Sequence, residues 1–454
     1  MATSYPVRQY IVFDAGQLLG RPVIRPLETG EVEKALVAAL GSGLRFTVQS
    51  LPTARFVPYE HVETPFIPES VAVLASPSEA DARAVRDAVE DLIAREGGKR
   101  ISDIGADPAI GLADYSFPGS VDVGLFGTRD EAHRLVGINR LPGGLNLTGN
   151  GVNVIVVDSG LDASLIPFGQ WGGGWQPLPS GPVPGTTTGE NALHGTMVVQ
   201  NILEVAQQAR IWDLPLIPPP RINDIGGFLA SAQATFSMMI QNIQQIQNLP
   251  GGPQQWVFMN AWAIYDRRSE FPFGDYTENR PGQAGPHPFI ALIEQLAAQR
   301  FDIIFCAGNC GGVCPDGRCG PNDYGPGRDI WGANAHPSVL TVGATRMDYS
   351  WIGYSSEGPG PGNKLASQKP DLCTPSQFAE TSGGFPPNLG TSAASALAAG
   401  VVAAFRSNWP QSAVSPARMI NRLNTTVQQV NGPFWTRRFG SGVLDASAAA
   451  AAMP

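Results

Sequence analysis

Three short strings in this 454-residue chain pair a reactive side chain with neighbours suited to holding it in place. In Val154-Ile-Val-Val-Asp-Ser-Gly160 an apolar run ends in an aspartate, so Asp158 falls at the carboxyl end of a buried strand, where open α/β sheets build their sites. His194-Gly-Thr-Met-Val opens an apolar stretch, residues 197–205, that reads as a helix. Of the five histidines (His61, His133, His194, His287, His336), only His194 has flanking residues of positional type. Gly390-Thr-Ser-Ala-Ala-Ser395 stands directly before the helical run 396–405. A serine at a helix start has backbone N–H groups and partial positive charge near its oxygen, which help an alkoxide develop. Taken singly, each string has a plainer reading: a turn or cap aspartate, a satisfied histidine, an N-cap serine. Together they supply a nucleophile, a base and a carboxylate to orient the base, in the chain order Asp, His, Ser with separations of 36 and 198 residues.

With those strings in that order, the sequence resembles the subtilisin-like serine protease family over roughly residues 124–448. Ala307-Gly-Asn309 matches the family's oxyanion string, and Pro337-Ser-Val-Leu-Thr-Val-Gly-Ala344, Lys369-Pro-Asp-Leu372 and Gly440-Ser-Gly-Val-Leu-Asp-Ala446 match secondary landmarks. The resemblance implies a serine endopeptidase that needs no cofactor for its chemistry. Ser392 would attack the scissile carbonyl, His194 would take the proton and return it to the leaving amine, and Asp158 would fix the imidazole tautomer. The Asn309 amide and the Ser392 backbone N–H would receive the oxyanion. A protein or peptide substrate would bind as an added strand, with Asn260, Ala261, Trp262 and Ala263 on one side of the primary pocket and Ala307 and Gly308 on the other.

Departures from the family pattern are visible. Ala261-Trp262-Ala263 stands where a small Ser-x-Gly edge is usual, which leaves pocket depth open. Met197 and Ala396 stand where a second histidine and a proline often follow; neither change removes a proton-transfer group. Pro337, Val339 and Asp371 match the calcium ligands of the branch that resembles proteinase K, while Asp371 reads equally well as a turn cap beside Pro370. Two rivals to the peptidase exist: a catalytically silent scaffold or partner-binding protein with the same fold, and an esterase using the same triad.

The elements that must position these residues follow from periodicity. Short β runs at 152–157, 211–216, 256–262, 303–307 and 339–342 alternate with helical stretches, which implies a mostly parallel sheet covered on both faces. The fold class is α/β, and the resemblance makes it a subtilisin-like three-layer sandwich. Residues 1–123 carry more charge, a strand at 70–75 and an amphipathic helix at 78–96 with Val85, Val89, Leu92 and Ile93 on one stripe. They read as a smaller α+β domain ahead of a catalytic domain at 124–454, either a pro-segment or an accessory domain; no ferredoxin-like pattern is legible in them. The Gly/Pro-rich stretches 167–189 and 357–363 read as loops walling a cleft, and 446–452 as a short surface helix.

Composition bounds the rest. Hydrophobic residues at 43% against 15% charged can fill a large core, and a net charge of −9 supplies no basic face for nucleic acid. No run of 18 apolar residues occurs, so no membrane span is expected, and the N-terminal stretch lacks the pattern of a secretory signal, which makes a cytoplasmic location the expectation. Four of five cysteines (Cys306, Cys310, Cys314, Cys319) crowd around Asn309, with Cys373 apart. Reduced thiols, a structural metal and a bridge clamping the oxyanion loop are all open.

Overall fold

The computed structural model describes all residues except 1–5, 59–65, 114–123, 178–180, 190–192, 218–226, 248–254, 280–284, 381–386 and 431. Its centre is an eight-stranded sheet. Leu372–Pro375, Leu340–Thr345, Asp302–Cys306, Gln255–Asn260, Val152–Asp158, Arg210–Pro215 and Trp171–Gln176 run parallel in that order. The strand Val152–Asp158 is buried along its whole length, as a central parallel strand must be when both faces are covered. On one face pack Leu193–Leu203, Gly390–Arg406 and Pro416–Thr425 with an aliphatic, alanine-rich core. On the other lie Leu229–Gln247 and Pro288–Ala298, over a core rich in Trp and Phe. The expected three-layer arrangement is the observed one.

The strand Trp171–Gln176, Trp-Gly-Gly-Gly-Trp-Gln, falls inside 167–189, which the sequence reads as loop. A glycine run carries no β-propensity, but these glycines admit close neighbours. A Cβ on Gly172 would sit 2.4 Å from the Trp212 indole, and one on Gly174 would sit 2.0 Å from the Asp213 carbonyl oxygen. The C-terminal helix Ala446–Ala451 likewise departs from a surface reading, because Ala446, Ala449 and Ala450 are buried.

The N-terminal part forms its own four-stranded antiparallel sheet, in the order Thr47–Ser50, Val71–Ser76, Val7–Phe13, Ile101–Ala106, with the helices Thr29–Leu40 and Glu79–Glu96 packed on it around a separate core. Its β-α-β-β-α-β order is the ferredoxin-like pattern that the sequence does not reveal. Glu79–Glu96 is capped by Ser78 at its start and by left-handed Gly97 at its end, and Val85, Val89 and Leu92 are fully buried. The segment is not self-contained. Arg55–Pro58 leaves it to become the antiparallel edge strand of the large sheet, with Phe56 stacked on Trp175 and Trp212 at 5.3 and 6.2 Å. Arg86 is paired with Asp275 at 2.8 Å and lies 3.7 Å over the Phe273 ring. Asp107 accepts the N–H of Ala230 in the first turn of Leu229–Gln247 while pairing with Arg8. Only Asp107 and Pro108 separate the last strand of this sheet from the next element, Ala109–Leu112.

Candidate active site

Asp158 ends its strand fully buried, and its Oδ1 accepts the N–H of Ser159 at 2.6 Å. His194, in the first turn of Leu193–Leu203, places Nδ1 2.7 and 2.9 Å from the two oxygens of Asp158. With Nδ1 committed to the carboxylate, Nε2 is the nitrogen that can exchange a proton with a nucleophile. Gly195 makes this approach feasible, since a Cβ there would lie 2.2 Å from the Gly160 carbonyl and 3.3 Å from Asp158 Oδ1. A second carboxylate lies nearby. Asp213 accepts the N–H groups of Gly185 (2.8 Å) and Leu161 (3.4 Å), and burial, with the charge of Asp158 adding, pushes its pKa up to about 7.

Ser392 is the third residue of Gly390–Arg406, a helix that is buried throughout and packs against the His194 helix. Its hydroxyl donates to the Ala261 carbonyl at 3.4 Å. Asn309 lies just past the end of Asp302–Cys306. Its Oδ1 accepts from both the backbone N–H (3.0 Å) and the hydroxyl (2.9 Å) of Thr391, which fixes which end of the amide faces Thr391. Thr391 Oγ1 in turn accepts the N–H of Gly308 at 3.1 Å. Thr391 is thus a positioning residue that the sequence reading passes over. Its only trace is its place between Gly390 and Ser392.

Asn309 Nδ2 donates to the carbonyl of Ala113, at 2.8 Å. The strand Ala109–Leu112 lies antiparallel between Gly227–Phe228 and Trp262–Ala263, with Leu112 opposite Trp262 and Gly111 opposite Ala263. The Ala113 N–H donates to the Ala261 carbonyl at 2.7 Å. The same Ala261 oxygen therefore receives both the Ala113 amide and the Ser392 hydroxyl. Gly390, at φ +71°, completes the fit, because a Cβ there would stand 2.1 Å from the Ala113 oxygen.

The structure thus pairs His194 with Asp158 and seats Asn309 on the start of the Ser392 helix, which packs against the His194 helix, with the strand Trp262–Ala263 beside Ala113. Ala307 is buried on the far side, and a Cβ on Gly308 would contact Ala263 at 3.4 Å. Asn260 departs from its expected role. Its amide is spent inside the sheet, donating to the Phe258 and Ile304 carbonyls and accepting from the Trp262 indole, so it braces the cleft strand from below.

The calcium expectation needs a correction. The Val339 carbonyl and Asp371 do converge, but on the ammonium of Lys369, at 2.5 and 2.6 Å. That internal cation takes the place a metal would need, so these residues do not fit calcium. Among the described residues no cluster of three or more His, Cys, Asp or Glu is suited to a metal. The cysteine question resolves as a bridge between Cys310 and Cys319, while Cys306, Cys314 and Cys373 keep their thiols. Burial pushes the Cys306 thiol up to about 12, so it is inert. No described helix is long and apolar enough to cross a membrane.

Fold and site together define an α/β protein with an Asp-His-Ser constellation and a side-chain amide aimed at a bound carbonyl. The subtilase family profile matches residues 149–442, well over half of the chain, and the chain belongs to that family of peptidases. Among solved structures it is similar to fervidolysin from Fervidobacterium pennivorans, described as a keratinolytic enzyme related to subtilisin, at 16% identity and a TM-score of 0.57. That likeness takes in 100% of this chain and 62% of the other, so the chain spans less than two thirds of its neighbour's length, and at this identity it speaks for the fold alone. No curated protein matches the sequence.

Proposed function

We propose that the chain is a serine endopeptidase whose first substrate is its own N-terminal segment, cut after Ala113. The observation that carries this reading is the seating of residues 109–113: a strand added to the cleft edge, with its last carbonyl on Asn309 Nδ2 at 2.8 Å. Turning the Ser392 hydroxyl from the Ala261 carbonyl toward His194 Nε2 prepares attack on that carbonyl. The C–O bond forms as the proton passes to His194, and the oxyanion stays on the Asn309 amide. The amine of residue 114 then leaves with the proton from His194, and water resolves the acyl-enzyme on Ser392. Until the strand leaves, it denies the cleft to other proteins, so residues up to 113 act as a pro-segment. The Cys310–Cys319 bridge favours an oxidising compartment over the cytoplasmic expectation. Intact-mass analysis after expression tests the reading. The wild-type chain should yield fragments ending at Ala113 and starting at residue 114, and Ser392→Ala should stay whole. A wild-type chain that remains full-length and fully active would rule out the pro-segment, and one that turns over no peptide would rule out the peptidase.

A further inference from the structure

We infer that the Tyr265–Arg318 pair is a wall that selects glycine at the third residue before the scissile bond. This rests on reading residues 109–113 as a substrate-like strand. In that strand Gly111 is buried opposite Ala263 and adopts no left-handed φ, so its missing side chain serves space rather than backbone conformation. A Cβ on Gly111 would lie 3.2 and 3.3 Å from Tyr265 Cδ2 and Cε2 and 3.7 Å from Arg318 Nη1. An alanine there would need the ring to shift by a few tenths of an ångström, and any longer side chain would need more.

The ring is poorly placed to shift. Tyr265 is buried, and its hydroxyl donates to the Leu112 carbonyl of the same strand at 2.7 Å. Arg318 stacks 4.3 Å over the ring and reaches the Tyr265 hydroxyl with Nη2 at 3.3 Å. The guanidinium is itself held by the buried Asp316 carboxylate, through Nε at 2.8 Å and Nη2 at 3.0 Å. Asp316 is tied to the site, since its N–H donates to the Asn309 carbonyl at 2.9 Å. The Cys310–Cys319 bridge closes this loop, and Gly320 N–H returns to the Tyr265 carbonyl at 2.8 Å. The loop that begins at the oxyanion donor therefore arches back over the substrate strand. Its neighbours in that strand differ in how they are held. Leu112 is only partly buried, whereas Ile110 is fully buried as part of the core rich in Trp and Phe, and Ala113 is covered. The substrate class that fits is an extended segment reading aliphatic-Gly-x-Ala before the cut, as occurs in glycine- and alanine-rich polypeptides.

Two measurements test the wall. In full-length Ser392→Ala protein, hydrogen exchange at 109–113 should be slowest with Gly111, faster in Gly111→Ala and fastest in Gly111→Leu. Adding Arg318→Ala to Gly111→Leu should recover part of the protection. Equal protection with glycine and leucine overturns the inference, and this readout needs no turnover, so it stands apart from the peptidase reading. In the wild-type protein after self-processing and removal of the docked residues 1–113, kcat/KM for an Ile-Gly-Leu-Ala fluorogenic amide should exceed that for Ile-Leu-Leu-Ala by about tenfold or more, shrinking to about 2- to 3-fold in Arg318→Ala. Tyr265→Phe, which keeps the ring and loses the hydroxyl, should raise KM for both peptides and leave their ratio unchanged. A wild-type ratio near one overturns the wall even where turnover after alanine upholds the peptidase.

Discussion

Asn309 and Thr391 divide one task, the amide making contact with the carbonyl and the threonine deciding which way the amide points. Asn309→Ala should lower kcat about a hundred- to a thousandfold with little change in KM, a figure taken from another member of the family. Thr391→Val should lower kcat in the same manner but less, because Nδ2 survives while the hydroxyl that steers it is lost. Steady-state kinetics on a small peptide separates these outcomes from a pocket effect, which would appear in KM. Asp213 makes a different prediction. Its folded-state pKa of about 7 lies above the ordinary 3.8, so the fold holds it best as the neutral acid. That contribution is complete below about 4 and is lost as pH rises through 7. Asparagine keeps the oxygen that accepts from Gly185 and Leu161 and never acquires the charge. In a Ser392→Ala background, Asp213→Asn should therefore gain stability over its parent between pH 5 and pH 9, on the order of a few kcal/mol at about 1.4 per pKa unit. Thermal unfolding at the two pH values checks it, and an identical Tm difference at both would place the proton elsewhere.

At the scale of elements, the triad depends on two helices lying close together. Gly400, on the serine helix, faces the helix of His194, and a Cβ there would meet Val205 Cβ at 3.0 Å and the Asn201 and Ile202 carbonyls at 3.1 Å. Gly400→Leu should wedge the helices apart, costing about 1–3 kcal/mol by overpacking and lowering turnover even at temperatures where the protein stays folded. Denaturant melts and kinetics on the same variant measure both effects. The sequence announces these elements unevenly. The five strands expected from apolar runs are present, shifted by at most a few residues, because a strand buried on both faces writes itself as consecutive Val, Ile and Phe. Trp171–Gln176 is illegible because glycine marks close approach and loop alike. Val7–Phe13 is missed because Arg8 and Gln9 interrupt its run, while their side chains are satisfied by Asp107 and by Arg86 and Ala82, partners remote in sequence. The candidate residues Asp158, His194, Ser392 and Asn309 stand out in the sequence because each is set in a short recognisable string. Tyr265 and Arg318 are not, since 53 residues separate them and only the bridge and the folded loop bring them together.

For the whole molecule, the strand Arg55–Pro58 makes the N-terminal part a structural member of the large sheet. Cutting after Ala113 severs the covalent link but leaves Phe56 packed against Trp175 and Trp212 and Arg86 on Asp275. The two fragments should therefore elute together on size exclusion after processing, and Phe56→Ala should let the smaller one go. Separation in the wild-type protein would mean the edge strand contributes little. The two-residue link, Asp107-Pro108, bears on rate as well as on place. A strand tethered that tightly to a docked domain reaches its own cleft at a local concentration no second molecule can match, so a first cleavage at Ala113 would be unimolecular. Its half-time should stay the same over a hundredfold dilution, whereas peptides added from solution follow ordinary saturation. A half-time that lengthens in proportion to dilution would mean that one molecule cuts another.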